Sequence, residues 1–354
     1  MNKLIYSFLT LLLLGTAVVT VDAGNPDRQG EAGAYELLMI PYAKMAGLHA
    51  MNTSFVTGVE AMRLNVAGLS RVNKTEVEVG YARYLQGTDI NMNAIGLAQR
   101  VGNGAFGFSL MALDFGDIPV TTTAQPEGTG ATFSPNFFNL GLSYAVTFEN
   151  KVSVGITFRG ISESTSDVSA FGFALDAGVQ YVTGPQDNFK FGISLRNVGS
   201  RMTFNGEGLA TQGPSPNGAY ELTFEQRPAG FELPSMLNIG ASYDLIFGSN
   251  RVTILGNFTS NSFSRDQVGG GLEYSLNDLF MLRGGYKYEF QANEEVIQES
   301  IYTGLCAGVT VQVPLKKKSA ESPNEFIPKL GIDYAYRETR LWQGTHNISV
   351  RISI

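Results

Sequence analysis

Hydrophobic and polar residues alternate with a period of two along most of the chain from residue 74 onward. Between residues 138 and 148, for example, Phe, Leu, Tyr and Val alternate with Asn, Gly, Ser, Ala and Thr. Successive side chains of a β-strand point to opposite faces, so this pattern predicts strands whose two faces meet different media. It occurs in eleven segments: 138–148, 152–159, 171–181, 189–196, 237–245, 252–258, 268–274, 280–289, 305–313, 330–336 and 347–354.

Three earlier segments, 74–85, 90–99 and 105–115, complete a predicted set of fourteen strands. The first of them alternates Val and Tyr with Glu and Gly, whereas the other two carry apolar residues on both faces. The pattern therefore does not assign the inward faces of the second and third strands. Two apolar faces would suit strands that pack against the N-terminal part of the chain inside a barrel.

Strand length and the absence of long apolar runs favour a membrane barrel. No segment after residue 23 has the roughly 18 to 20 consecutive apolar residues of a membrane helix, whereas strands of about ten residues match a tilted crossing. Lipid offers no hydrogen-bond partners, so such strands must close into a ring. A soluble sandwich or propeller is the alternative, but its polar faces would normally be richer in Lys and Glu.

The connections between the strands alternate in length. Turns after even-numbered strands are mostly short, whereas residues 116–135, 198–234 and 291–300 form long connections after odd-numbered strands. This asymmetry is typical of a transmembrane barrel with short periplasmic turns and long extracellular loops. An exception is the connection 315–326, which follows an even-numbered strand and carries Lys316, Lys317 and Lys318.

The first 23 residues have the features of an export signal. Lys3 gives a basic start, residues 4–21 are almost continuously apolar, and Val21-Asp22-Ala23 places small residues before a cleavage site at Gly24. An uncleaved anchor is the alternative. We predict a signal peptide at 1–23 and a mature protein in the outer membrane of a diderm bacterium.

Residues 24–73 differ from the rest of the chain. Segments 34–50 and 59–69 carry Ala, Met and Leu with little alternation, and Thr57-Gly58 separates them as a turn. Gly68 is expected to end a helix. The sequence therefore predicts a compact, partly helical N-terminal segment at 24–73 and a barrel at 74–354.

Composition excludes several classes of function and structure. The net charge is −7 and no dense Lys/Arg cluster occurs, which argues against a nucleic-acid partner. Cys306 is the single cysteine, so no internal disulfide forms, and its glycine-rich surroundings indicate a small filler of the lumenal face.

Charged residues occur on the predicted lumenal faces, and both signs are present. We expect them to pair with each other rather than to form a polar pathway or a binding site, because isolated charges in a partly dry lumen are costly. They are Arg159, Asp176, Lys190, Arg196, Glu273, Arg283, Lys287, Glu289, Asp333 and Arg351.

The sequence contains no residue pattern typical of an enzyme. His49 and His346 are the two imidazoles, and neither has Ser and acid partners at an indicative spacing. The sequence shows no metal-ligand cluster and no phosphate-binding glycine loop. We predict a non-enzymatic protein with no cofactor and no metal.

Motifs in the N-terminal segment resemble those of a known family. They are Ala34-Tyr35-Glu36-Leu37-Leu38, Ile40-Pro41, Thr57-Gly58-Val59-Glu60-Ala61 and Asn65-Val66-Ala67-Gly68-Leu69. Together they resemble the PorV/PorQ outer-membrane proteins, whose architecture is similar to that of the FadL hydrophobic-compound transporters. The resemblance implies fourteen antiparallel strands with an N-terminal hatch in the lumen, and it marks Asn65, Ala67, Gly68 and Leu69 as a hatch motif.

The sequence departs from this family at two places. Val66 stands where the last motif usually has proline, and His49-Ala50 stands where relatives have paired glycines. The fold is expected to survive both changes, and the chain is interpreted as a divergent member.

Three functions are compatible with such a barrel. The resemblance implies a component of type IX secretion or surface attachment, with outer-membrane lipid, a translocon and secreted proteins with a C-terminal sorting domain as partners. Its candidate docking loop, 198–234, carries Phe204, Tyr220, Phe224 and Phe231, which could also fold onto the rim. The alternatives are a FadL-like channel for hydrophobic small molecules and a largely structural barrel.

Overall fold

A computed structural model describes residues 25–149, 151–290, 300–316 and 326–354. The predicted signal peptide at 1–23 lies outside these residues, as do Lys317 and Lys318 of the lysine-rich connection. Within the described ranges, no helix has the length and apolar character needed to span a bilayer.

Fourteen antiparallel strands form one closed barrel, which confirms the predicted fold class. The first strand pairs with both the second and the last, so the ring has no free edge. The strands are β1 Thr75–Arg83, β2 Asn91–Val101, β3 Gly104–Asp114, β4 Asn136–Phe148, β5 Val152–Thr165, β6 Val168–Thr183, β7 Phe189–Gly199, β8 Met236–Phe247, β9 Asn250–Asn261, β10 Gln267–Leu276, β11 Phe280–Glu289, β12 Tyr302–Pro314, β13 Lys329–Thr339 and β14 Thr345–Ser353.

Side-chain exposure alternates along the strands as the sequence pattern predicts. In β6, Phe171, Phe173 and Leu175 lie on the exposed outer surface, while the residues between them face inward and are buried. The closing pair follows the same rule, with the exposed Val79 of β1 opposite the exposed Val350 of β14. An apolar outer surface and a polar inner face are the arrangement that a lipid surrounding requires.

The two ends of the barrel differ as the connection lengths predict. At one end, here called the long-loop end, the connections after β3 and β7 each contain a two-stranded ribbon. These ribbons pair Ile118–Pro119 with Thr132–Phe133 and Ala210–Pro214 with Glu221–Glu225. The opposite end, here called the short-turn end, has tight turns after β2 and β8.

The N-terminal segment, residues 25–73, consists of short helical turns rather than long helices. Its 3-10 helices are Pro26–Arg28, Tyr35–Leu38, Gly58–Arg63 and Val66–Arg71, and its one α-helix is Ala43–Ala46. The prediction that Gly68 ends a helix is wrong, since Gly68 lies inside the last of these turns. The space around Gly68, described below, gives the physical reason for a glycine there.

This segment lies inside the barrel and packs against its inner wall. Its buried Val59, Met62 and Leu69 belong to one apolar cluster with Met92 and Ala94 of β2 and Ala105, Met111 and Leu113 of β3. The inward faces of β2 and β3 are therefore apolar because they cover the segment rather than water, as the sequence suggested.

Candidate functional site

The motif at 65–69 fastens the segment to the wall through Asn65. Its side-chain amide donates hydrogen bonds to the backbone oxygens of Thr53 and Val179, at 2.9 and 3.0 Å. Its Oδ1 accepts from the Ala67 amide at 3.3 Å and so caps the following turn. Asn65 thus joins two parts of the segment to β6.

Gly68 and Leu69 occupy positions where size is restricted. A Cβ atom on Gly68 would collide with the backbone oxygen of Val56, so only glycine fits beside that chain. Leu69 is fully buried, and its methyl groups lie against Gly107 of β3. All four motif residues are thus buried between the segment and the wall. Their role as a hatch stays a prediction.

Arginines reinforce the same contact surface. Arg63 of the segment donates to Asn139 Oδ1 of β4 at 2.7 Å. Arg159 of β5 donates to the backbone oxygen of Met62 at 3.0 Å and forms a 2.6 Å ion pair with Asp176 of β6. Both arginine side chains are almost fully buried.

Most of the predicted lumenal charges pair within the wall. Lys190 bonds to Asp244 at 2.5 Å, and Arg283 bonds to Glu273 at 3.1 Å. Arg351 lies 4.0 Å from Asp333. Pairing was the favoured interpretation from the sequence, and for these residues it is confirmed.

A cavity of about 520 Å³ lies at the long-loop end, between the N-terminal segment and strands β7 to β13. On the segment side it is lined by Leu38, Met39 and Ile40, and on the wall side by Met236 and Phe263. Ligand cavities in proteins are typically about 300 to 1,000 Å³, mostly apolar, with a few polar groups. This cavity has that size and character.

Cationic side chains line one side of this cavity. Arg337 lies over the Tyr302 ring, with its guanidinium carbon 4.4 Å from the ring centroid. Among the described residues, its Nε and one terminal nitrogen have no hydrogen-bond partner. Arg196 and Lys287 also line the cavity, so three cationic side chains border it together with the carboxylate of Glu289.

His49 of the segment faces the same cavity. Its ring packs edge-on against Tyr302, with centroids 5.2 Å apart. Burial, together with Lys287 and Arg337 nearby, holds the pKa of the imidazole well below its usual value. His49 is therefore neutral at neutral pH and adds a polar but uncharged group to the lining.

A second, smaller space beside the cavity lies between β11 and β12 and shares His49, Lys287 and Tyr302 with it. Pairing of these strands ends at Tyr286 and Leu305, and the pairing of β12 with β13 shifts register between Tyr302 and Cys306. The smaller space, of about 40 Å³, is lined by His49 and Lys287 from inside and by the exposed Tyr286 from outside. The wall is irregular at this point.

The four aromatic residues of the candidate docking loop fall into two groups. Phe204 and Phe231 pack against each other, with ring centroids 5.6 Å apart, and cover the buried Met202 at the rim. Tyr220 and Phe224 lie on or beside the second ribbon and are 59 % and 45 % exposed. The structure therefore leaves only Tyr220 and Phe224 available to a partner.

The remaining candidate residues are accounted for by packing. Cys306 is buried against Leu48, Met51 and Leu255, as expected for a small filler. His346 lies near the end of the barrel, with Nδ1 2.8 Å from the Tyr334 hydroxyl. No group of acidic, His or Cys residues in the described ranges could hold a metal ion.

The sequence did not predict Tyr302 and Arg337 as site residues. It predicted Arg196 and Lys287 only as lumenal charges, and His49 only as an available base and as a departure from the paired glycines of the family. These residues lie far apart in the sequence and follow no shared motif, so only closure of the barrel brings them together.

Comparison with known proteins supports the fold. No protein-family model and no curated protein sequence matches the chain. Among solved structures, it is similar to the Ralstonia pickettii toluene transporter TbuX, with a TM-score of 0.56 and 14 % identity over 90 % of this chain and 98 % of that one. It is also similar to the P. putida toluene transporter TodX, with a TM-score of 0.53 and 14 % identity over 88 % of this chain and 96 % of that one.

The CymD monoaromatic hydrocarbon channel is similar too, at a TM-score of 0.53 and 15 % identity over 90 % of this chain and 97 % of that one. At such identities the similarity concerns the fold alone. The chain therefore has the closed fourteen-strand architecture found in hydrocarbon channels, whereas membership of the PorV/PorQ family stays a prediction.

Proposed function

We propose that the protein is an outer-membrane channel that admits hydrophobic small molecules through the cavity at the long-loop end. The observation that carries this proposal is the cavity of about 520 Å³, lined by Leu38, Met39, Ile40 and Met236, beneath the long loops. The similarity of the barrel to hydrocarbon channels supports it. This was the alternative function from the sequence, and it has more support than the secretion role.

The lining favours ligands that carry a polar or anionic end. Arg337 keeps unpartnered donors within the described lining, and Arg196 and Lys287 lie around the same space. A carboxylate or hydroxyl at that end would satisfy these donors, while an apolar tail would contact Leu38 and Met236.

Uptake by cells tests this proposal. Cells lacking the protein are complemented with the wild type or with Leu38→Trp/Met236→Trp, which fills the cavity, and uptake of labelled toluene and labelled dodecanoate is measured. We expect the filled variant to lose uptake. Leu245→Trp on the outer surface of β8 is the matched control and should retain it. Equal uptake with and without the protein would refute the channel.

Replacing the arginine separates the two ligand types. Arg337→Met should lower dodecanoate uptake more than toluene uptake, because only the carboxylate uses the guanidinium. Equal losses for both compounds would show that Arg337 supports the wall rather than the ligand.

A role as a docking component of protein secretion is the second candidate. The exposed Tyr220 and Phe224, held out by the ribbon Ala210–Pro214 and Glu221–Glu225, support it. Tyr220→Ser/Phe224→Ser should then reduce export of surface proteins, while Phe204 and Phe231 stay intact to keep the rim folded. Unchanged export would remove this candidate.

A further inference from the structure

Two pairs of buried glutamates join the N-terminal segment to the barrel wall. In each pair one carboxyl belongs to the segment, at Glu36 or Glu60, and the other to a strand, at Glu163 of β5 or Glu78 of β1. All four residues are buried. An ionised carboxylate is strongly disfavoured in such a place unless it is paired or hydrogen-bonded, so a carboxyl without partners here favours its protonated form.

The pair of Glu60 and Glu78 lacks donors. Glu60 Oε1 accepts from the Met45 amide at 3.2 Å. Glu60 Oε2 and both carboxylate oxygens of Glu78 have no hydrogen-bond partner within the described part of the chain. The Tyr42 hydroxyl, also unpartnered there, lies beside Gly96, which is opposite Glu78 on β2. A proton held by the pair would supply a missing donor.

Two of the charged groups around this pair have other partners. Arg351 is opposite Glu78 in the β1–β14 ladder, yet its guanidinium lies toward Asp333. Glu76 accepts from the Val59 amide at 2.8 Å and from the Ser353 hydroxyl at 2.9 Å, so it is satisfied as an anion. The charged residues that face Glu60 and Glu78 are Lys44, Glu76, Arg283, Asp333 and Arg351.

In the second pair, Glu36 Oε1 has no hydrogen-bond partner within the described part of the chain, and the Glu163 carboxyl is near enough to raise the pKa of Glu36. Two carboxylates buried beside each other repel, so this arrangement favours a proton on one of them. Arg63 is the cation that faces Glu36, but its guanidinium donates to the backbone oxygens of Glu36 and Met39 and to Asn139.

We propose that these two pairs are proton-binding sites that lock the N-terminal segment to the wall. Each pair holds the segment while it keeps a proton, and each loosens it when the proton leaves and two anions face each other. Because one pair involves β1 and the other β5, the two sites hold the segment at two different places on the wall.

The pKa values of the two glutamates in the segment determine whether the lock opens as the pH rises or as it falls. Burial and the neighbouring Glu163 raise the pKa of Glu36 to about 8, and burial raises the pKa of Glu60 to about 7, from an ordinary 4.5. A pKa that is raised in the locked state stabilises that state fully below the ordinary value. The stabilisation is then lost as pH rises through the raised values.

Infrared spectroscopy of the full chain in micelles tests the protons directly. The carbonyl stretch of protonated carboxyls is compared at neutral and alkaline pH for the wild type and for Glu78→Gln and Glu163→Gln. We expect a protonated band at neutral pH that each substitution weakens. Absence of that band would overturn the proposal.

Hydrogen exchange of the amides in residues 43–64, corrected for intrinsic rates, tests the lock. If the locked state binds one proton more than the released state, protection falls about tenfold for each unit that the pH rises within the titration range. Glu60→Gln/Glu78→Gln, which mimics the neutral pair, should keep its protection at alkaline pH. Glu76→Gln is the matched control and should retain the pH step. The same pH profile in wild type and double variant would refute the lock.

Discussion

The two sides of the lumen show how one barrel wall serves two purposes. Along β2 and β3 the inward residues are mainly Ala, Met and Gly, whereas β4 to β6 add buried polar residues such as Asn139, Arg159 and Asp176, and the segment packs closely on all five strands. Along β8 to β12, the inward residues are mainly polar, and at the long-loop end the segment stands away from them to leave the cavity. The first side fixes the segment in place, and the second leaves room for a ligand.

Breaking an ion pair on the packed side should have the largest effect. Arg159→Leu leaves Asp176 buried without its charge partner and removes the bond to Met62, so we expect a loss of about 3 to 5 kcal/mol in the free energy of unfolding. Urea unfolding in micelles measures it.

The matched control lies on the other side of the lumen. Arg251→Leu removes a partly exposed partner of Glu273, which keeps Arg283, so its cost should stay below about 1 kcal/mol. Similar losses for Arg159→Leu and Arg251→Leu would contradict the division of the lumen.

Truncation of apolar side chains should show the same contrast. Leu69→Ala opens a void in a fully packed cluster and should cost about 2 to 5 kcal/mol. Leu38→Ala borders existing space, so its cost should be about 1 kcal/mol. The same urea titration compares them. A larger loss of unfolding free energy for Leu38→Ala than for Leu69→Ala would contradict the close packing on the β2 to β6 side.

Adding a single methyl group sharpens the comparison further. Gly68→Ala should cost about 1 to 3 kcal/mol, because the new Cβ collides with the Val56 oxygen. Gly256→Ala, on the outer surface of β9, meets nothing closer than 4.0 Å and should be neutral. Proteolysis of the segment in intact barrels reports its release, and equal resistance of both variants would show that Gly68 has room to shift.

Much of the wall could be predicted from the sequence because its two faces meet different media. Strands β4 to β14 follow from alternation alone, and the doubly apolar β2 and β3 pointed to packing against the segment. The Gly68 prediction failed because the sequence does not distinguish a glycine that ends a helix from one that leaves room for a backbone oxygen elsewhere in the chain. Val56 approaches Gly68 only when the segment is folded, so this contact could not be predicted.

The cavity could not be predicted for a different reason. Tyr302 and Arg337 come from neighbouring strands and His49 from the segment, and their convergence depends on the register of the closed barrel. The motif at 65–69 marked where the segment is held, not where it leaves space. Local patterns therefore identified the packed side, while the open side emerged from the three-dimensional arrangement.

Binding of an apolar fluorescent probe, N-phenylnaphthylamine, to the purified barrel tests the central claim most directly. The wild type should bind the probe saturably, and Leu38→Trp/Met236→Trp should weaken binding at least about tenfold, or 1.4 kcal/mol. Leu245→Trp should bind as the wild type does. Binding that is absent from the wild type, or unchanged when the cavity is filled, would contradict the assignment of this cavity as the ligand site.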